Sequence, residues 1–137
     1  MLRQNFDIPL YDWNTTIFYG VEKRDAREIL RELQYLGCKD EHLQKAKKML
    51  KKAEKNSGFT ISSFFDKQTI IVVFAVSSIG EFLNTLTHEK NHLEMHICTA
   101  MGIEPESEEA SYLSGDIAQI MYKDVIAYIF GETEKRD

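Results

Sequence analysis

Long apolar stretches are missing from this chain. The longest, Ile70 to Val76, is seven residues, well short of the roughly 20 that a helix needs to span a bilayer. Two prolines and seven glycines in 137 residues leave little material for a disordered tail or a low-complexity linker. The only two cysteines, Cys38 and Cys98, form no CxxC pair and are read as free thiols. The opening MLRQNFDIPLYDW lacks the apolar region and small-residue cleavage site of a secretory signal, so the expected location is cytoplasmic. A formal charge of −5 is the wrong sign for general attraction to nucleic-acid phosphates.

What remains is an ordinary globular composition, 43% hydrophobic and 28% charged, at a length suited to one domain over residues 1–137. The charge is uneven. Residues 41–57 hold six lysines against two glutamates, a local +4, whereas 88–137 carries a local −7.

Hydropathy patterning divides the chain into seven elements. Residues 13–19 are β-branched and aromatic and end at Gly20, which predicts a strand. Ala26, Ile29, Leu30, Leu33 and Leu36 recur at helical spacing before Gly37. Asp40 is expected to cap a second helix carrying Leu43, Ala46, Met49, Leu50 and Ala53. GFTISSFF and QTIIVVFAV read as two strands of a hairpin broken at Asp66-Lys67, the second apolar on both faces and therefore interior. Ser77 or Ser78 caps a long helix to about Met101, ended by Gly102, and a last helix runs from about Glu108 to Phe130. The order βααββαα predicts an α+β domain, a small antiparallel or mixed sheet packed with about four helices.

Inside the long helix the chain reads Thr87-His88-Glu89-Lys90-Asn91-His92, an H-E-x-x-H pattern. Four residues advance about 400° and ~6 Å along a helix, so His88 and His92 stand one above the other and suit a single zinc ion. Glu89, about 100° away, is placed beside the ion, where it can accept a proton from an acidified water. A catalytic zinc site ordinarily takes three protein ligands, and the acidic start of the final helix is the candidate source. Stepping from Glu108 through Ser111, Gly115 and Ala118 gives a small-residue seam along which that helix could approach the histidines. Glu108 is therefore favoured as third ligand, Glu109 is the alternate, and Glu106 comes third.

These residues resemble the gluzincin branch of the zincin-like metallopeptidases, in which an H-E-x-x-H helix precedes a helix donating a glutamate. The stretch HEKNHLEMHICTAMGIEPESEEASYL is similar to short zincin-like proteins of phages and mobile elements, and to ImmA/IrrE-type peptidases. The resemblance covers residues 82–130. It implies Zn2+ held by His88, His92 and Glu108, Glu89 as general base, and an edge strand within residues 58–76 that holds an extended peptide by strand addition. The expected partner is a polypeptide, as substrate or as bound protein, with no membrane. Tyr112 and His96 are the open candidates for a transition-state-stabilising residue. Two other readings stand beside the peptidase: a non-enzymatic zincin-fold interaction module, and a nucleic-acid-associated regulator acting through Lys45 to Lys55.

Overall fold

The chain begins with a strand that its hydropathy only half announces. In β1 (Leu2–Ile8) the alternate residues Gln4, Phe6 and Ile8 are buried, the period-two pattern of a half-buried strand, with a glutamine where an apolar residue is expected. That glutamine is satisfied: its carbonyl accepts from the Tyr19 hydroxyl at 2.6 Å and its amide donates to the Met121 carbonyl at 3.3 Å. A 3-10 turn at Pro9–Tyr11 and Asp12 in the left-handed region (φ 54°) reverse the chain. Strand β2 (Trp13–Val21) then pairs antiparallel with β1. The observed order is ββααββαα, one strand more than the sequence predicts.

The computed structural model describes residues 1–136, with side chains through Ile129. After β2 come α1 (Ala26–Leu36) and α2 (Asp40–Lys52). Gly37 ends α1 at φ 79°, a conformation glycine adopts without steric cost. Asp40 sits inside the first turn of α2, not at its cap, where Lys39 stands; an acid there still complements the helix dipole. Strands β3 (Gly58–Ser63) and β4 (Gln68–Phe74) form the expected hairpin. Helix α3 (Ile79–Met101) is capped by the Ser78 hydroxyl, which accepts from the Glu81 amide at 3.0 Å, and stops at Gly102. Helix α4 (Glu108–Arg136) returns along it.

The strands form one mixed sheet in the order β1-β2-β4-β3, with β2 and β4 parallel. A parallel pair needs a crossover, and α1 and α2 lie within it. They cover one face of the sheet over Phe18, Ile70, Val72 and Phe74. Helices α3 and α4 cover the other over Ile17, Tyr19, Ile71 and Val73. Strand β4 is thus enclosed on both faces, which accounts for its unbroken apolar run. A register irregularity between Tyr19 and Val21 coincides with Gly20 at φ 69°; such a bulge exchanges strand faces, and Val21 packs with the α1/α2 side.

Two consequences position the site. Strand β3 is an edge, bonded only to β4, and α3 runs beneath it. Among the described residues no helix is long and apolar enough to cross a membrane.

Candidate functional site

The core stripe of α3 passes through Phe82, Leu86, Leu93 and Ile97, and at its middle it is completed by Glu89 and Lys90, both buried. Burying two charged groups costs free energy unless each finds a partner. Glu89 finds one on the edge strand: Thr60 Oγ1 donates to Glu89 Oε1 at 2.8 Å and also lies 3.3 Å from its main-chain carbonyl. Lys90 pairs with Glu94 and donates to Ser114 Oγ of α4 at 3.1 Å, while the Ser114 hydroxyl donates to Glu94 at 2.9 Å. Helix α3 is therefore tied to β3 through Glu89 and to α4 through Lys90 and Glu94.

Gly58 sets the closeness of the first tie. A methyl group built on it would meet the Val72 carbonyl oxygen at 2.5 Å and Glu89 Cγ at 3.3 Å. The absence of a side chain there lets the helix carrying Glu89 settle against the strand carrying Thr60.

His88 and His92 stand on the adjacent, more exposed flank. Their Nε2 atoms are 3.3 Å apart. An ion bound tetrahedrally at 2.0–2.1 Å from two imidazole nitrogens separates them by about 3.3–3.4 Å, so the pair has the spacing of two ligands to one zinc. Without an ion the same contact is an N–H···N hydrogen bond. Glu89 Oε2 is 4.0 Å from His88 Nε2, which puts the carboxylate beside the pair, held from behind by Thr60. Three residues of the sequence reading, His88, Glu89 and His92, are thus brought together.

The glutamates of α4 are not. Residues two apart on a helix point about 200° away from one another, so Lys90 and Glu94, which face Ser114, turn His92 away from α4. Glu108 lies six residues, about 9 Å, from Ser114 along α4, is exposed, and sits toward the end of α3 where the Ile103 amide bonds the Cys98 carbonyl. Glu109 instead accepts from the Tyr11 hydroxyl at 3.2 Å, and burial together with that carboxylate raises the Tyr11 phenol. Glu106 is exposed in the connecting loop. Among the described residues no group of three His, Cys, Asp or Glu is gathered closely enough to hold an ion. The small-residue seam is also corrected: Ser111 and Gly115 are exposed, and α4 buries Leu113, Ile117, Met121 and Val125 instead. Apolar area, not backbone closeness, sets the facing of this helix.

His96 continues the ladder one step beyond His92, with ring centroids 6.3 Å apart. It is half-buried, and its Nδ1 lies 2.7 Å from Ser62 Oγ of β3. Burial, then the neighbouring His92 and His42, push its imidazole below the usual range. Tyr112, the other open candidate, is exposed. The edge of β3 that faces α2 is hollowed by two cavities of about 160 and 420 Å³ that share His42 and run past Phe59, Ile61, Ser62 and Phe64. Lys45 stands on the rim of the first, and the α2 lysines are exposed. Cys38 and Cys98 are free thiols, raised chiefly by burial. No protein-family model, curated protein or solved structure matches this chain.

Proposed function

We propose that this protein is a zinc-dependent hydrolase of peptide bonds, with His88 and His92 as metal ligands and Glu89 as general base. One observation carries the reading: a buried carboxylate held by Thr60 stands 4.0 Å from one of two imidazole nitrogens that share a spacing of 3.3 Å. The fit to zinc is partial, since two ligands converge and the third, assigned from sequence to Glu108 or Glu109, lies elsewhere. Zinc bound there would supply Lewis acidity and a water acidified to a pKa of about 7.

The chain's own groups do the rest. Glu89 accepts the proton of the attacking water at Oε2 while Oε1 stays bonded to Thr60, so the base is held in one orientation throughout. General-base assistance of this kind contributes about 10²–10⁴-fold. The outer edge of β3 offers main-chain donors and acceptors to an extended peptide; among the described residues, Gly58 to Ser63 make no backbone–backbone hydrogen bonds outside the sheet. The hollows along that edge give the peptide's side chains somewhere to go.

The test is cleavage of an unfolded-protein peptide library by zinc-loaded protein, read by mass spectrometry. Cleavage that stops with a chelator, returns with zinc and is absent in Glu89→Gln supports the reading. A second reading, a metal-stabilised interaction module, is favoured by the convergence of only two ligands. It replaces the first if zinc binds, no peptide in the library is cut, and Glu89→Gln leaves every measured property unchanged.

A further inference from the structure

Behind the histidine ladder lies a chain of hydrogen bonds that crosses three strands. The Trp13 indole donates to Thr69 Oγ1 at 2.8 Å, Thr69 Oγ1 is 2.7 Å from Ser62 Oγ, and Ser62 Oγ is 2.7 Å from His96 Nδ1. Trp13 is fully buried and Thr69 is 1% exposed. The direction of the chain follows from its buried end. An indole N–H only donates, so Thr69 Oγ1 accepts there. Among the described residues the one other partner of the Thr69 hydroxyl is Ser62, so Thr69 donates to Ser62, and His96 Nδ1 is the one acceptor in reach of the Ser62 hydrogen.

With Nδ1–H donating instead, Ser62 Oγ would accept from both Thr69 and His96, and its own hydrogen, on a half-buried hydroxyl, would have no acceptor among the described residues. Protonating both ring nitrogens meets the same obstacle, because a charged imidazole has no acceptor nitrogen. The relay therefore favours a neutral His96, with Nδ1 as acceptor and the proton on Nε2. Phe64 packs against the ring at 5.5 Å and is itself met edge-on by Trp13 at 6.3 Å, so the plane of the imidazole is fixed as well.

We propose that His96 is a pre-set Nε2–H donor that binds a main-chain carbonyl of the peptide lying along β3. The ligand class rests on the hydrolase reading above; the tautomer does not. His96 stands on the same flank of α3 as His88 and His92, and its relay partner Ser62 belongs to the edge strand along which the peptide is placed. A donor whose orientation and tautomer are settled in advance binds a carbonyl with less ordering cost than a free imidazole. The role is binding and orientation, with no bond made or broken at His96.

Long-range nitrogen–proton correlation spectra of histidine-labelled protein test the relay without substrate. The expected result is the Nε2–H form in the wild type and a mixture of tautomers in Ser62→Ala. An Nδ1–H wild type, or a Ser62→Ala spectrum identical to the wild type, overturns the proposal and leaves the metal site untouched. With zinc-loaded protein and the best-cleaved library peptide, His96→Ala is expected to lose tenfold or more in kcat/KM at unchanged zinc stoichiometry. His96→Gln, whose amide can still donate, is expected to recover part of that loss. Unchanged kcat/KM in His96→Ala overturns the proposal. A wild type that binds zinc and cleaves nothing defeats the hydrolase reading and removes the peptide assignment with it, a failure distinguishable because it appears before any variant is made.

Discussion

The same substitution at two glycines should move stability in opposite directions. At Gly58 an added methyl lies 2.5 Å from the Val72 carbonyl oxygen, where a comfortable C···O contact is about 3.3 Å. The missing ~0.8 Å must come from main chain, because Val72 belongs to an interior strand and Glu89 Cγ closes the other side at 3.3 Å. Forcing atoms into a packed interior costs about 1–3 kcal/mol, offset by the ~0.4–1 kcal/mol gained when an unfolded chain loses a glycine. The net expectation for Gly58→Ala is a loss of about 1–2 kcal/mol. For a chain of this size that is roughly 4–8 °C in Tm. Gly115 lies within α4 with nothing inside 4 Å of its would-be methyl, so Gly115→Ala should gain up to about 1 kcal/mol from helix propensity. Thermal unfolding of the two variants beside the wild type is the assay. A Gly58→Ala protein as stable as the wild type would refute the claim that this glycine sets the approach of α3 to the edge strand.

Thr60→Val removes a 2.8 Å hydrogen bond to a buried carboxylate and should cost about 1.5–3 kcal/mol, measured by denaturant titration, while leaving zinc stoichiometry unchanged. Lys90→Met strands the Glu94 carboxylate, whose side chain is 17% exposed, and is expected to cost about 3 kcal/mol, whereas Lys90→Met with Glu94→Leu should fall within ~1 kcal/mol of the wild type; equal losses in the two would argue against a buried pair. Stability should also depend on pH through His96. Its imidazole is lowered by burial, then by His92 and His42, so between the folded value and the unfolded value near 6.5 the unfolded chain binds more protons. This contribution is present above about pH 6.5 and is lost as pH falls through the folded value, and His96→Gln should flatten that part of the unfolding free-energy profile.

The sequence carried the fold class and the elements whose signals are local: the 13–19 strand, the hairpin, a serine cap at 77 or 78, which the structure places at Ser78, and the glycine stops. It concealed β1 because Gln4 interrupts the apolar alternation, and only the tertiary partners Tyr19 and Met121 explain a glutamine at an inward position. At the site, the H-E-x-x-H spacing was enough to place three residues, since their relation is set within one helix. That the α4 glutamates stand apart from the histidines was not legible, because it depends on how two helices turn toward each other. The signal that could have corrected it was present: Lys90 and Glu94, an i,i+4 pair at the centre of an apolar stripe, marks the flank that faces α4. The Trp13–Thr69–Ser62–His96 relay joins residues far apart in sequence, and no motif announces it.

Titration of the metal-free protein with Zn2+, followed by calorimetry and by elemental analysis of the product, addresses the pairing of His88 with His92 most directly. The expected outcome is one zinc per chain in the wild type and in Glu89→Gln, with binding lost in His88→Ala and in His92→Ala. Zinc uptake that survives both histidine substitutions, or a wild type that takes up none, would contradict it.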